Sequence, residues 1–232
     1  MKRRHPGPND GQSGGSQPPK MGSRKGPRQE PEPFRPLVAF DFDGTLTVKD
    51  SYTGFLAWRV GPARYVSGLI RLAPALLTYA IHRDRGRLKA SATRLFLRGV
   101  SRDELDASAR RYAEIHARKL LRPDAVRAWK RWQAQGARLV IVTASPESVV
   151  APFARGLGCE LLLGTRLEFD PMDRVTGRFD GPNCRAGEKV RRLRAVFGDD
   201  VHLEAAYGDT SGDRDMLTLA DEAGYKVFQG TP

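Results

Sequence analysis

The sequence contains little cysteine and histidine. Of its 232 residues, two are cysteine and four are histidine. Cys159 and Cys184 do not form a CxxC pair, and the histidines occur singly, so neither a zinc site nor a disulfide-stabilised secreted domain is indicated. The N-terminus also lacks the apolar segment of a secretory leader. We therefore predict a reduced, cytoplasmic protein.

Long hydrophobic runs are missing as well. The longest apolar stretch, residues 65–82, is interrupted by Arg71 and Pro74. A membrane-spanning helix needs about 20 mostly apolar residues. The sequence therefore argues against a transmembrane segment, while peripheral contact with a membrane surface stays open.

Residues 1–36 are poor in apolar residues and rich in Gly, Pro, Ser and Gln. They carry eight basic and three acidic residues, a net charge of +5 out of +12 for the chain. Such a segment buries too little apolar surface to offset the entropy of ordering, so we predict a disordered basic tail. It is either an arm for nucleic acid or anionic lipid, or a dispensable extension upstream of a start at Met21. We favour the extension. The remaining arginines fall on predicted helices and indicate solvated faces, so no specific nucleic-acid partner is expected.

The first predicted strand ends in two acids. The apolar run 37–40 predicts a short buried strand, followed by Asp41, Asp43, Gly44 and Thr45. Two carboxylates separated by a single residue, followed by Gly and Thr, suit a divalent cation and a phosphate-bearing ligand. On this stretch alone, an ordinary Asp/Gly turn remains the alternative.

Residues 51–122 are predicted to be almost wholly helical. Apolar spacing predicts helices at 51–60, 63–82, with a kink at Pro74, and 85–97, and a capping box at Ser101 starts a fourth helix that ends at residue 120. Four helices without a strand indicate an inserted helical cap; a helical half of an α+β fold is the alternative.

From residue 123 onward, helices and strands alternate. Helices are predicted at 123–135, 187–197 and 213–220, strands at 138–142, 201–207 and 225–228, and a strand with a β-hairpin within 161–180. A further helix is predicted to begin with Ser145 as N-cap and Pro146 in its first turn. The alternation predicts an α/β fold: a Rossmann-like parallel sheet with helices on both faces and an inserted all-helical cap. The predicted domains are the tail 1–36, a core of 37–50 and 123–232, and a cap of 51–122.

Polar residues follow three of the predicted strands. Asp41 and Asp43 follow the first, Thr143 a second, and Asp209 with Asp213 a third. The carboxyl ends of neighbouring parallel strands line one crevice, so these side chains are expected to converge there.

The order of these residues resembles the haloacid dehalogenase-like hydrolase superfamily. Its first motif, DxDGT, is similar to residues 41–45, and its fourth, GDxxxD, to residues 208–213. Thr143 matches its second motif and Lys189, at a helix start, its third. The insertion after the first motif looks like the cap of the subgroup that includes phosphoserine phosphatase. Residues 143–146 and 183–190 look closer still to its uncharacterised bacterial branch and to phosphatidylglycerophosphatases.

The resemblance implies a Mg²⁺-dependent phosphatase for phosphate monoesters. Asp41 would be the nucleophile that forms an aspartyl phosphate, and Asp43 the residue that donates and later accepts a proton. Thr143 and Lys189 would bind the phosphoryl oxygens. Asp43 also separates the chain from the superfamily's dehalogenases, which lack that acid, and from its P-type ATPases, which carry Thr. The implied metal ligands are Asp41, the Asp43 carbonyl and Asp209, supported by Asp213.

The substrate is less well specified. Asp50 stands near the position of an acidic residue, normally Glu, that meets the substrate's amino group in phosphoserine phosphatases, and Arg94 or Arg98 could meet its carboxylate. The apolar helix 63–82 also fits a lipid phosphate, although packing within the cap is the favoured interpretation. Two further alternatives are a phosphotransferase, and a nucleic-acid or membrane-surface binding protein with a degenerate hydrolase site. The sequence predicts neither the physiological substrate nor the oligomeric state.

Overall fold

A five-stranded parallel sheet forms the centre of the protein in a computed structural model, which describes residues 35–73 and 85–232. The tail up to residue 34, the Pro74 kink and the end of the predicted helix 63–82 lie outside the described residues. The strands are β1 (Leu37–Phe40), β2 (Arg138–Pro146), β3 (Leu161–Thr165), β4 (Leu167–Phe169), β5 (Val175–Phe179), β6 (Leu203–Gly208) and β7 (Ala220–Tyr225). The helices are α1 (Ser51–Val60), α2 (Pro62–Arg71), α3 (Arg85–Leu97), α4 (Arg102–Leu120), α5 (Pro123–Ala134), α6 (Glu147–Leu157), α7 (Gly187–Phe197) and α8 (Arg214–Leu217).

The strand order places β1 in the middle of the sheet. The order is β3-β2-β1-β6-β7, with every neighbouring pair parallel. Phe40 at the end of β1 is in register with Ile141 of β2 and Tyr207 of β6. The chain runs from β1 outward to β2 and β3 and later returns to β6 on the other side of β1, so the strand order reverses at β1 and a crevice forms at its carboxyl end. The predicted α/β class is confirmed.

Helices cover both faces of the sheet because its side chains alternate in direction. Phe40 packs on one face against Trp129 of α5 and Tyr207, with ring centroids 5.1 and 4.6 Å apart. The same apolar cluster takes in residues of α1, α4 and α6. On the other face, Ala39 belongs to a cluster with Leu193 of α7 and Met216 of α8.

The helical segment leaves the sheet and returns to it through one two-stranded neck. The backbone N–H of Val48 donates to the Leu120 carbonyl, and that of Arg122 donates to the Leu46 carbonyl, each at 2.8 Å. Thr47 and Leu121 form a β-bridge between these bonds. The two ends of the segment therefore lie side by side.

Local sequence signals account for the helix boundaries within the segment. Asp50 accepts a bond from the Thr53 N–H at the start of α1, and Gly61 ends it at a φ of +80°. Ser101 caps α4 by accepting from the Glu104 N–H, as predicted. The Glu104 side chain pairs with Arg59. No helix in the described part of the chain is long and apolar enough to cross a membrane.

The carboxyl-terminal part contains two errors of prediction. The last strand is β7, at Ala220–Tyr225, and not at 225–228. Its sequence is polar, and it becomes a strand because it pairs with β6 along its length. The helix predicted at 213–220 is confined to α8, since residue 220 already belongs to β7.

Phe40→Ala tests the packing of the central strand. Phe40 is fully buried between aromatic rings, so its truncation is expected to lower the free energy of unfolding by about 3–5 kcal/mol. Ile70→Ala is the control, because Ile70 is 72% exposed and a surface change should stay within about 0.5 kcal/mol. Urea denaturation measures both, and equal effects would contradict the described core.

Candidate active site

One cavity at the carboxyl edge of the sheet brings the predicted residues together. Asp41 follows β1, Thr143 lies near the end of β2, and Asp209 follows β6. Because β2 and β6 flank β1, these strand ends meet at one edge of the sheet. The cavity has a volume of about 250 Å³. The predicted residues in its wall are Asp41, Asp43, Asp50, Thr143, Lys189, Asp209 and Asp213.

Lys189 is a buried cation that joins three parts of the site. Its Nζ donates to Oδ1 of Asp41 at 2.6 Å and lies 2.7 Å from Oδ1 of Asp213. It also donates to the backbone carbonyl of Val142 in β2. Burial alone would lower the pKa of Lys189, but the two carboxylates raise it above its ordinary value. The lysine therefore stays charged and holds Asp41 in place.

Three carboxylates form a cluster that could hold a metal ion. Oxygen atoms of Asp41, Asp209 and Asp213 lie within 4.8 Å of one another. Burial raises the pKa of Asp41 to about 7, against the attraction of Lys189, and burial also raises the pKa of Asp209. With all three acids ionised, Lys189 offsets one of the three negative charges, and two negative charges remain. A divalent cation that prefers oxygen ligands fits this donor set.

Asp213 is oriented by its own turn. Its Oδ2 accepts 2.8 Å bonds from both the backbone N–H and the hydroxyl of Thr210. Its Oδ1 faces Lys189. Burial would raise the pKa of Asp213, but Lys189 and the Thr210 bonds hold it below its usual value. The four-residue spacing from Asp209 thus lets Asp213 fold back and position the lysine.

Asp43 lies in a different environment from Asp41. Its Oδ1 accepts a 2.7 Å bond from the backbone N–H of Ser51 at the start of α1, and its Oδ2 accepts from the hydroxyl of Ser145. Burial, followed by repulsion from Asp50, raises the pKa of Asp43. The two acids of the first loop therefore contact different parts of the protein.

The predicted role of Ser145 is wrong. Strand β2 continues through a bulge to Pro146, and α6 begins at Glu147 without a side-chain cap. Ser145 is therefore still in the strand, where its hydroxyl bonds to Asp43 and accepts a 3.1 Å bond from Nζ of Lys89. Pro146 likewise precedes the helix and does not begin it.

Lys89, Asn183 and Arg185 also line the cavity, and the sequence analysis assigns none of them a role. Lys89 comes from α3, and its Nζ lies 3.7 Å from Oδ2 of Asp50. Asn183 accepts from the Thr165 hydroxyl, and Arg185 donates to the Ser211 hydroxyl. Asn183 and Arg185 stand in the 183–190 stretch that carries part of the resemblance. Nothing in the linear sequence marks Lys89, because Ser145 is 56 positions away.

The arginines predicted to bind a substrate carboxylate are not brought into this cavity. Arg94 and Arg98 are both exposed, and neither is among the described residues of the cavity wall. The backbone of Arg94 packs against β5, where a Cβ on Gly177 would lie 2.8 Å from its Cα. Asp50 does reach the cavity, as the cap residue of α1.

A doubly wound parallel sheet with acids, a hydroxyl and a lysine at its carboxyl edge defines an α/β protein with an enzyme-like site. The chain belongs to the haloacid dehalogenase-like hydrolase family, whose sequence model matches residues 38–218. The resemblance stated from the motifs is thereby confirmed.

The chain is similar to a curated protein and to several solved structures. It is 60% identical over 196 residues to Protein CicA of Caulobacter vibrioides, which covers 84% of this chain and 88% of that protein. A protein of unknown function from Bordetella pertussis Tohama I has 26% identity and a TM-score of 0.67, over 79% of this chain and 86% of that one. A substrate-bound phosphoserine phosphatase has 18% identity and a TM-score of 0.56, over 82% and 84% of the two chains. At that identity the likeness shows a shared fold.

Gly44→Ala tests the placement of Asp209. Gly44 has a φ of +85°, and an added Cβ would overlap the Asp209 carboxylate, 2.7 Å from its Cγ. We expect the substitution to displace that carboxylate and to weaken the binding of a divalent cation at the cluster, tested with Mg²⁺ by titration calorimetry, about tenfold or more.

Gly99→Ala is the matched control for this experiment. Gly99 has a φ of +83°, but an added Cβ there meets nothing within 4 Å. Both variants pay the left-handed backbone strain of about 1–2 kcal/mol, seen in urea denaturation. Equal Mg²⁺ affinities in the two variants would show that the Gly44 contact does not position Asp209.

Proposed function

We propose that the protein is a Mg²⁺-dependent phosphatase that hydrolyses a phosphate monoester through an aspartyl phosphate on Asp41. The observation that carries the proposal is the pair of acids in one cavity with separate surroundings. Asp41 lies beside Lys189 and the carboxylate cluster, whereas Asp43 lies beside Ser51 and Ser145. Two carboxyl groups in different environments can divide the roles of nucleophile and proton donor.

The metal would be held by Asp41, Asp209 and the backbone carbonyl of Asp43. Asp213 supports them, since its oxygens already face Lys189 and Thr210. When bound, Mg²⁺ offsets the repulsion between the negative nucleophile and the negative phosphate.

In the first half of the reaction, a carboxylate oxygen of Asp41 attacks phosphorus. The bond between phosphorus and the alcohol oxygen breaks, and Asp43, as the carboxylic acid, donates its proton to that oxygen. Burial raises the pKa of Asp43 and so favours the protonated form that this step requires. The alcohol leaves, and the phosphoryl group stays on Asp41.

In the second half, water attacks the phosphoryl group and Asp43 accepts its proton. The bond between Asp41 and phosphorus breaks, and phosphate leaves. Lys189 balances negative charge on the phosphoryl oxygens. Thr143 accepts from the Ser145 N–H at 3.1 Å, so its hydroxyl proton can point toward a phosphoryl oxygen.

Residues 51–122 are proposed to act as a cap that closes over the phosphate and excludes water. The contact of Lys89, on α3, with Ser145, on β2, supports this role because it crosses from the helical segment to the sheet. Solved structures of phosphoserine phosphatases share the fold and support a small phosphate monoester as substrate. A cytoplasmic location remains a prediction, to which the free thiols of Cys159 and Cys184 add support.

Phosphate release from a panel of phosphorylated metabolites and phospholipids tests the proposal. We expect phosphate release in the presence of Mg²⁺. Release should stop when the metal is chelated and should return when Mg²⁺ is restored.

Asp41→Asn removes the nucleophile and should abolish turnover. Asp43→Asn removes the proton donor and should lower kcat about 10²- to 10⁴-fold. In Asp43→Asn, acid quenching followed by mass spectrometry should detect phosphoryl-Asp41.

Asp200→Asn serves as the control, because Asp200 is exposed and lies outside the cavity wall. It should retain wild-type turnover. Failure to release phosphate from every compound of the panel, or full activity in Asp41→Asn, would refute the phosphatase proposal.

A further inference from the structure

A second, largely apolar cavity lies within the helical segment. Its volume is about 450 Å³, and its described wall comes from α1, α2 and α3. Small-molecule sites in proteins measure about 300–1,000 Å³ and are lined mainly by apolar and aromatic side chains. The apolar side chains of the wall include Tyr52, Leu56, Tyr65, Leu69, Leu88 and Phe96.

This apolar cavity adjoins the catalytic cavity. Asp50 and Lys89 line both of them. The two side chains form an ion pair at 3.7 Å, so the junction is polar and its opposite charges offset each other. A ligand that passes from one cavity to the other would meet hydrogen-bonding groups first and apolar groups beyond.

The junction lies on the side of the catalytic cavity where Asp43 is found. Lys89 donates to the Ser145 hydroxyl, which donates to the Asp43 carboxylate. Ser51, which donates to the other oxygen of Asp43, directly precedes Tyr52 of the apolar wall. A residue that protonates the leaving oxygen must face the alcohol of the substrate, so a proton donor at Asp43 would direct that alcohol toward the apolar cavity.

The helices α2 and α3 cannot simply move closer together to fill the apolar cavity. α2 and α3 are already in contact on one side, where a Cβ on Gly68 would overlap the ring of Phe96. Tyr65 also stacks on Phe96, with ring centroids 5.5 Å apart. Leu69 is 36% exposed and forms part of the rim.

We propose, on the basis of the phosphatase function proposed above, that this cavity binds an apolar portion of the substrate's alcohol. The substrate class is a phosphate monoester whose alcohol carries polar groups next to the ester and an apolar chain beyond them. Lys89 and Asp50 contact the polar groups, and the chain occupies the space between α1, α2 and α3. A serine-sized alcohol would leave this space without a ligand.

A chain-length series tests the proposal in the full-length protein with Mg²⁺. The substrates are glycerol 3-phosphate and 1-acylglycerol 3-phosphates with acyl chains of about two to ten carbons, all below their micelle concentrations. Burial of each methylene should raise kcat/KM about two- to fourfold until the cavity is filled. A flat series with measurable turnover overturns this inference but leaves the phosphatase function intact. No turnover of any compound, including small generic phosphate monoesters, overturns the phosphatase function.

Leu69→Asp places a charge at the rim of the apolar cavity. It should lower kcat/KM for the octanoyl compound at least tenfold relative to that for glycerol 3-phosphate. Ile70→Asp is the matched control, since Ile70 is the next residue of α2, is 72% exposed and is absent from the described wall. It should keep the wild-type chain-length dependence. Equal losses in the two variants would show that the cavity does not bind the chain.

Ala92→Phe provides a second variant, because Ala92 lines the same cavity and a ring there reduces its volume. The rise of kcat/KM with chain length should then end at a shorter chain. An unchanged end point would contradict the inference.

Vesicles of phosphatidylcholine that contain phosphatidic acid distinguish the two sources of such a substrate. Turnover of the embedded lipid at a rate similar to that of the soluble octanoyl compound identifies a membrane source. Turnover of the soluble compounds alone identifies a free amphiphile.

Discussion

The buried contact of Lys189 with Asp41 and Asp213 is the interaction on which the site depends. Through it, α7 is connected to the end of β1 and to the turn after β6, and the bond to Val142 adds β2. Removal of one partner from a buried ion pair typically destabilises a protein by about 3–5 kcal/mol, because it leaves an unpaired charge in the interior. The contact therefore constrains the sheet edge, the helix and the Asp41 carboxylate together.

Asp41 and Asp43 are two residues apart, yet different parts of the molecule determine their properties. The sheet core surrounds Asp41, whereas Asp43 is bound by Ser51 at the start of the helical segment and by Ser145 in β2. Lys89 extends that second environment into the segment. In the proposed mechanism the proton donor and the substrate's alcohol would therefore share neighbours, so residues that select the substrate would also influence the acid.

The elements with strong local signals were predictable, and those set by distant partners were not. The acids of the first loop follow an apolar strand and precede Gly44, so their position could be predicted from sequence alone. Ser145 has the local features of a helix cap, but pairing with β3 extends β2 past it. β7 is too polar to be recognised and forms because β6 offers a free edge. Lys89 enters the cavity only because α3 folds back over the sheet, which no local pattern encodes.

The neck formed by residues 46–48 and 120–122 has a consequence for how such a protein diversifies. Its two strands are joined by backbone hydrogen bonds of 2.8 Å, which do not depend on side-chain identity. The stretch between these two strands can therefore be exchanged as one uninterrupted piece of gene. The distance between the two ends of the neck then stays the same. New specificities can arise by recombination at these two points, while Asp41, Thr143, Lys189 and Asp209 at the sheet edge are inherited unchanged and only the surroundings of Asp43 change with the segment.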